Sequence, residues 1–299
     1  MTKELVFIGL GKMGSAMTAR LVAEGYVVHG FDVSVDMRLE AEKLGVKTYD
    51  SIAEAITSIS GRKVIWLMVP SKFVDSVLAE ICISLATDDI IIDGGNSFFK
   101  DTIKRAAETK SKGFYYVDCG TSGGVNGARN GASLMVGGDN ETISYIENIF
   151  MTLAAPNAYG HVGGTGAGHF VKMVHNGIEY GMAGAIAEGM AFIEDNAQEL
   201  KINQLEVLKP FEHESIIASK LMTWMSEVYK KDAYLENISG EVPKGETEEE
   251  MEFIVSHRQT PVLEAALLQR KETRENPSRI GSLISALRNQ FGGHKTIQK

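Results

Sequence analysis

Short apolar runs alternate with amphipathic stretches through the first half of the chain. Residues 5–8, 27–28, 64–68, 90–92 and 115–117 are brief, rich in β-branched and aromatic side chains, and continuous in their apolar character. Strands buried on both faces read this way, because neither face alternates toward water. Between them, residues 13–24, 35–44, 51–58, 73–85 and 98–110 carry helix-like patterns. This alternation predicts a parallel sheet covered on both faces, the doubly wound α/β class. Further strands at 133–136 and 158–159, flanking a helix from about Asn140, predict a mixed extension of that sheet.

After Gly168 the strand pattern stops. Residues 169–199 lack proline and read as one long helical spine, followed by helices at 212–229, 248–256, 261–270 and 280–288. The run Gly160-His-Val-Gly-Gly-Thr-Gly-Ala-Gly168 reads as a linker with permissive backbone positions. The expected organisation is a Rossmann-type α/β domain over 1–164 and an all-helical domain over 165–299. The acidic patch at 246–252 reads as a solvated helix start, where carboxylates suit the helix dipole.

Gly9-Leu-Gly11-Lys-Met-Gly14 follows the first strand directly and opens the first helix. In that context each glycine has a mechanical role. Gly9 permits a tight turn, Gly11 lets the backbone reach a pyrophosphate, and Gly14 lets helix and strand pack closely. Free N–H groups at the helix start then face the negative charge. The second strand leads to Asp32, whose carboxylate can accept both ribose hydroxyl protons of NAD and repel the extra phosphate of NADP. A surface Asp capping the next helix is the competing account. Arg38, a turn into that helix, is expected to face elsewhere.

A second signal lies in the long helix. Lys172, His175, Asn176, Glu179 and Tyr180 stand at i, i+3, i+4, i+7 and i+8, so they share one face. Phe170, Val171, Met173, Val174 and Ile178 surround them, which predicts burial of the other sides and a polar cleft along this stripe. Lys172 and Glu179 are about two turns apart, ~10 Å along the axis, long for an ion pair and suited to a base and an acid acting on different atoms. An exposed stripe with a surface Lys–Glu contact is the alternative.

Composition narrows the field. With 299 residues, 44% of them apolar and 23% charged, the chain has the material for a buried core and is not mostly disordered. No apolar run reaches the length of a bilayer span, and the N-terminus does not read as a signal peptide. The net charge of −9 argues against nucleic acid or an anionic membrane as partner. Two cysteines, Cys82 and Cys119, offer neither a disulfide framework nor a zinc site, and the scattered histidines give no metal motif. The expected setting is the cytoplasm.

These residues taken together resemble the decarboxylating 6-phosphogluconate dehydrogenases of the β-hydroxyacid dehydrogenase superfamily, in their short NAD-linked branch. The resemblance runs through Gly9–Gly14, Asp93-Gly-Gly-Asn96-Ser97, the stretch from Ser122 to Met135, the Lys172–Tyr180 helix and Arg288-Asn-Gln-Phe-Gly-Gly-His294. It implies oxidative decarboxylation of 6-phospho-D-gluconate to D-ribulose 5-phosphate and CO2. Lys172 is then the general base and Glu179 the general acid. Asn96, Ser122, Gly123, Gly124, His175 and Asn176 match positions holding the sugar acid's carboxylate and hydroxyls. Tyr180, Arg270, Arg288 and His294 match positions that grip its phosphate. NAD contacts are implied at Gly9, Leu10, Gly11, Met13, Gly14, Asp32, Val69 and Asn96, with no metal. In the family the C-terminal tail reaches into a neighbouring subunit, which implies a homodimer or homotetramer.

The chain also departs from the family. The usual Gly-x-Gly-[Lys/Arg]-Trp-Thr run is replaced by Glu241-Val-Pro-Lys-Gly-Glu-Thr-Glu-Glu-Glu250, which leaves Lys244 unassigned, and Asn126 stands where an acidic residue is common. Two rivals remain at this point. A 3-hydroxyisobutyrate-type dehydrogenase shares the glycine turn and the lysine but does not account for Glu179 with Arg288 and His294. A catalytically silent NAD-binding sensor has no need of an intact Lys172 and Glu179.

Overall fold

The computed structural model describes residues 3–299. The chain opens with β1 (Glu4–Ile8), α1 (Lys12–Ala23), β2 (Val27–Phe31), α2 (Val35–Lys43), β3 (Lys47–Thr48), α3 (Ile52–Thr57) and β4 (Val64–Leu67). It continues through α4 (Val74–Ile81), β5 (Ile90–Asp93), α5 (Phe99–Ser111), β6 (Tyr115–Ser122) and α6 (Gly124–Asn130). Then follow β7 (Ala132–Gly137), α7 (Asn140–Leu153) and β8 (Ala154–Gly163). The eight strands form one sheet in the order β3-β2-β1-β4-β5-β6-β7-β8. All pairings are parallel except β6 with β7, so the expected mixed extension is present.

Both faces of the sheet are buried, as the continuous apolar runs required. Leu5 and Phe7 of β1 join Trp66, Ile92 and Phe150 in one core, while Val6 and Ile8 join Ile65, Leu67 and Ile91 in the other. The strand order reverses between β1 and β4, and ligands of open α/β sheets bind at such a switch, beyond the strands' carboxyl ends.

The presumed linker is largely regular structure. Gly160 and Gly163 belong to β8, paired with Met135 and Gly137 of β7. Ala167 already opens the long helix α8 (Ala167–Asp195). Glycine marks a loop in sequence but also suits a strand whose neighbours approach closely. The first turn of α8 packs the same way. A Cβ at Gly168 would stand 2.5 Å from the Met135 carbonyl oxygen and 2.7 Å from that of Asp118. By its internal packing the chain forms two compact units, residues 1–172 and 173–299, which divide inside α8.

The second unit, residues 173–299, continues α8 and adds α9 (Ala197–Leu200), α10 (Gln204–Glu212), α11 (Lys220–Asp232), α12 (Glu248–His257), α13 (Pro261–Glu272) and α14 (Arg279–Gly292). Its core gathers Ala183, Ala187, Met222, Met225, Leu283 and Leu287. The helix expected over 212–229 is two helices. Extended backbone at His213 ends α10, Glu214 takes a positive φ of 55°, and Ser219 caps α11 through the Met222 N–H. No helix among the described residues is long and apolar enough to cross a membrane.

The expectation for the flanks of α8 holds at Met173, which is buried, and is overturned along one stripe. Phe170, Val174, Ile178 and Met182 are 43%, 37%, 54% and 40% exposed. Spaced four apart, they form an outward stripe, while Asn176 and Tyr180 of the polar stripe are buried. In this helix the hydrogen-bonding face turns inward and finds partners there.

Gly168→Ala forces a methyl into two carbonyl oxygens and should lower stability by about 1–3 kcal/mol. Urea unfolding measures this, and an unchanged midpoint would show that α8 does not start against β6 and β7 as closely as described.

Candidate active site

The glycine turn sits at the sheet's switch point. Gly9 has φ 96°, and a Cβ there would collide with the Met68 carbonyl oxygen, which follows β4. A Cβ at Gly14 would strike the oxygen of Gly9, whereas one at Gly11 meets nothing within 4 Å. Gly11 stands at the N-cap of helix α1, which has no side-chain cap and no acidic residue in its first turn. Its first N–H groups can therefore serve an anion. Asp32 directly follows β2, with Oδ2 accepting from Leu10 N at 2.7 Å and Oδ1 from Ser34 N at 2.8 Å. Each oxygen keeps a lone pair for a ribose hydroxyl. Dinucleotide and residues fit.

Other expected contacts divide. Val69 and Met13 are half-buried beside this turn. Leu10 is not free to line it, because its side chain is fully buried in the core and its N–H is held by Asp32. Arg38 does not face elsewhere. Its Nη1 donates to the Asp32 main-chain oxygen at 2.8 Å and its Nη2 to Asp50 at 2.9 Å.

Asn96 lies on the turn after β5, half-buried. Beneath this turn runs a buried network that no local pattern announces. Asp93 accepts from Gly95 N at 3.1 Å, Ser97 Oγ at 2.7 Å and the Tyr116 hydroxyl at 2.9 Å. Arg105 donates to Ser97 at 3.2 Å and reaches Asp75 through Nε at 2.6 Å and Nη2 at 3.2 Å. Burial, then the Asp93 charge, push the Tyr116 phenol well above its ordinary value, so it stays a donor.

Ser122 closes β6, and Gly123 and Gly124 turn into α6 with φ values of 115° and 61°. Helix α6 packs against α1, which brings this turn beside the dinucleotide helix. Asn126 is exposed on α6. Lys172 is half-buried and lies over β6, where a Cβ at Gly120 would overlap its own Cβ. Asp118, on the same strand and fully buried, accepts from Gly166 N at 2.6 Å and His169 N at 2.8 Å. Burial raises its pKa most, against the His169 charge and these two N–H bonds. The buried His169 ring meets Thr102 at 2.7 Å. Gly120, Asp118 and His169 thus place the lysine, and sequence alone offered only a glycine inside a strand as their signal.

The second unit holds its own set of the expected residues. Asn176 Nδ2 donates to Glu250 at 3.3 Å, and the Tyr180 hydroxyl meets the Thr247 hydroxyl at 3.0 Å. His175 and Glu179 are half-buried. Arg270 is 3% exposed and its guanidinium carbon stands 3.3 Å from the centre of the Tyr180 ring. Its Nη2 is 3.8 Å from Glu179 Oε1, yet Nε and Nη2 are buried without a hydrogen bond. Such groups cost about 1–3 kcal/mol each, which argues for a ligand that satisfies them.

Arg288 donates from Nη1 to the Pro243 oxygen at 2.9 Å and is also buried. Burial foremost lowers the pKa of both arginines. His294 keeps an exposed edge, but the chain around it, then the charges of Arg288 and Arg270, hold its imidazole below the ordinary value. Within one chain, Arg288 and Arg270 thus lie near enough to His294 for their charges to act on it. The atypical 241–250 segment meets Arg288 at Pro243 and Tyr180 at Thr247, while Lys244 pairs outward with Glu249 at 3.2 Å. No group of three metal-binding side chains occurs among the described residues.

A glycine turn at a sheet's switch point, an acidic residue directly after β2 and a lysine over β6 define an oxidoreductase with a Rossmann-type NAD(P)-binding domain. Residues 4–163 match the profile of the NAD binding domain of 6-phosphogluconate dehydrogenase, and residues 168–205 match that of its C-terminal domain. The chain is 37% identical to the YqeC protein of Bacillus subtilis over 98% of both. It is 34% identical to the NAD(+)-dependent, decarboxylating 6-phosphogluconate dehydrogenase of Haloferax volcanii over 99% of both. The solved 6-phosphogluconate dehydrogenase of Plasmodium falciparum superposes with a TM-score of 0.82 at 26% identity, over 91% of this chain and 63% of that one. The chain belongs to the 6-phosphogluconate dehydrogenase family.

The depressed His294 makes a signed prediction. A dianion bound beside it favours the charged imidazole, so binding should tighten as pH falls through the ordinary histidine range. Sulfate stays dianionic throughout and serves as probe. Its affinity by calorimetry should rise about threefold to tenfold from pH 8 to pH 6, and this gain should vanish in His294→Ala. A pH-independent affinity in the parent would remove His294 from the site.

Proposed function

We propose that the chain catalyses NAD-dependent oxidative decarboxylation of 6-phospho-D-gluconate to D-ribulose 5-phosphate and CO2. The observation that carries this reading is the buried Arg270 guanidinium, with two unmatched N–H groups beside Arg288, Tyr180 and His294. Forked donors in a desolvated setting suit a phosphate monoester. A 3-hydroxyisobutyrate-type dehydrogenase would have no use for them.

In this reading, bound NAD supplies the hydride acceptor. Lys172 takes the proton of the substrate's C3 hydroxyl as oxidation proceeds. The protonated amine then stabilises the enolate oxygen that develops as CO2 departs from the β-keto acid. Glu179 delivers a proton to C1 of the resulting enediol. Asn96, Ser122, Gly123, Gly124, His175 and Asn176 orient the carboxylate and hydroxyls, and Gly9, Gly11, Met13, Gly14, Asp32 and Val69 serve the dinucleotide. The first unit is thus the dinucleotide domain and the second the phosphate-side and oligomer domain. The outward stripe of Phe170, Val174, Ile178 and Met182 supports a homodimer or homotetramer. A cytoplasmic setting rests on composition.

Purified protein given 6-phosphogluconate should release NADH and CO2 in equal amounts, faster with NAD than with NADP. Oxidation without CO2, or equal oxidation of an unphosphorylated 3-hydroxy acid, contradicts the reading, and absence of any NADH would favour the silent sensor. Lys172→Ala should cut turnover by about a thousandfold while NAD affinity stays near the parent's. Turnover close to the parent's would overturn the base assignment.

A further inference from the structure

A charged side chain beside the dinucleotide turn has no role in the reading above. Arg38, on α2, reaches back across the β2–α2 connection to the main-chain oxygen of Asp32. Its other amine is tied to Asp50, and its guanidinium carbon stands 5.9 Å from the centre of the Phe31 ring. The Arg38 side chain is 13% exposed and that of Asp50 90%. The cation is therefore seated in the fold, while the carboxylate that holds it is almost wholly in water. Asp32's two carboxylate oxygens are held by other donors, Leu10 N and Ser34 N. The guanidinium thus donates to the main chain of the very residue whose carboxylate faces the turn, and each group is oriented by its own partners.

A 2′-phosphate on the adenosine ribose would arrive where the 2′-hydroxyl meets Asp32. It would be repelled by that carboxylate and attracted by the forked donors of Arg38. We propose that Arg38 is a specificity-determining residue for the dinucleotide, a 2′-phosphate ligand whose effect Asp32 masks and Asp50 restrains. The inference rests on dinucleotide binding at this turn, not on the identity of the sugar acid. With Asp32 present, NAD is preferred. Without it, the same pocket already contains the cation that NADP requires. Asp50, exposed and screened, holds Arg38 only weakly, so removing its charge leaves the guanidinium freer to meet the phosphate.

Calorimetric binding of NAD+ and NADP+ to the full chain tests this without any substrate, with thermal midpoints recorded for every variant. Asp32→Ala should shift the ratio of the two affinities toward NADP+ by about tenfold or more. Adding Arg38→Gln to it should weaken NADP+ by about tenfold and NAD+ by less than about threefold. Asp50→Asn alone should strengthen NADP+ by about threefold. The proposal is overturned if the double variant binds NADP+ as well as Asp32→Ala does. It is also overturned if both dinucleotides weaken equally, which would make Arg38 only a prop for the turn. Should Arg38→Gln unfold the turn, Arg38→Lys keeps the charge and loses the fork, and an intermediate loss confined to NADP+ is the supporting result. An undiminished NADP+ affinity in that variant sinks the idea. A chain that fails to oxidise 6-phosphogluconate would leave these affinities intact, so the two readings fail separately.

Discussion

Two main-chain N–H groups at the start of α8 end on one buried carboxylate, Asp118, in the middle of β6. The first turn of a helix always has such donors to satisfy, and here a neighbouring strand does it in place of a local cap. The contact is close because Gly168, Gly137 and Gly120 carry no side chains: a methyl at Gly137 would stand 2.7 Å from Asp118 Oδ1. Lys172 follows one turn after His169, over Gly120. The start of the helix that carries the lysine is therefore set by a carboxylate and a set of missing methyls.

Ionic groups buried in this protein fall into two kinds. Asp93 and Arg105 form a closed set, completed at the surface by the exposed Asp75, in which every charge has a partner, and they stiffen the turn bearing Asn96. Arg270 and Arg288 form an open set, with donors left over and pKa values lowered chiefly by burial. Closed networks stabilise an architecture, whereas open ones are expensive unless a ligand completes them. The contrast separates scaffold from binding site more sharply than burial alone.

What could be read from the chain depended on how local the signal was. The glycine turn and Asp32 were legible because a strand, a turn and a helix start lie within about two dozen residues of each other. The polar stripe of α8 was legible by period, but its direction was not. Periodicity says that Asn176 and Tyr180 share a face, and only the packing of Glu250 and Thr247 reveals that the face is inward. Glycines at 160 and 163 misled, since one residue type serves both loops and crowded strands. Arg105 and Asp118 were invisible, and the direction of Arg38 was misread, for another reason. Their partners are fixed by side-chain direction or by strand neighbours far along the chain, which no spacing rule encodes. The family resemblance supplied Arg270, Arg288 and His294, yet only the folded chain stacks Arg270 on the Tyr180 ring and sets His294 within reach of the charges of both arginines.

If one buried carboxylate fixes the start of α8, its loss must be felt there first. Amide hydrogen exchange read by mass spectrometry on Asp118→Ala and the parent addresses this directly. Exchange should accelerate across residues 164–171 while peptides from β1, β4 and β5 stay protected as before. Unchanged protection at Gly166 and His169 would contradict the account, because the helix would then be held by something other than Asp118.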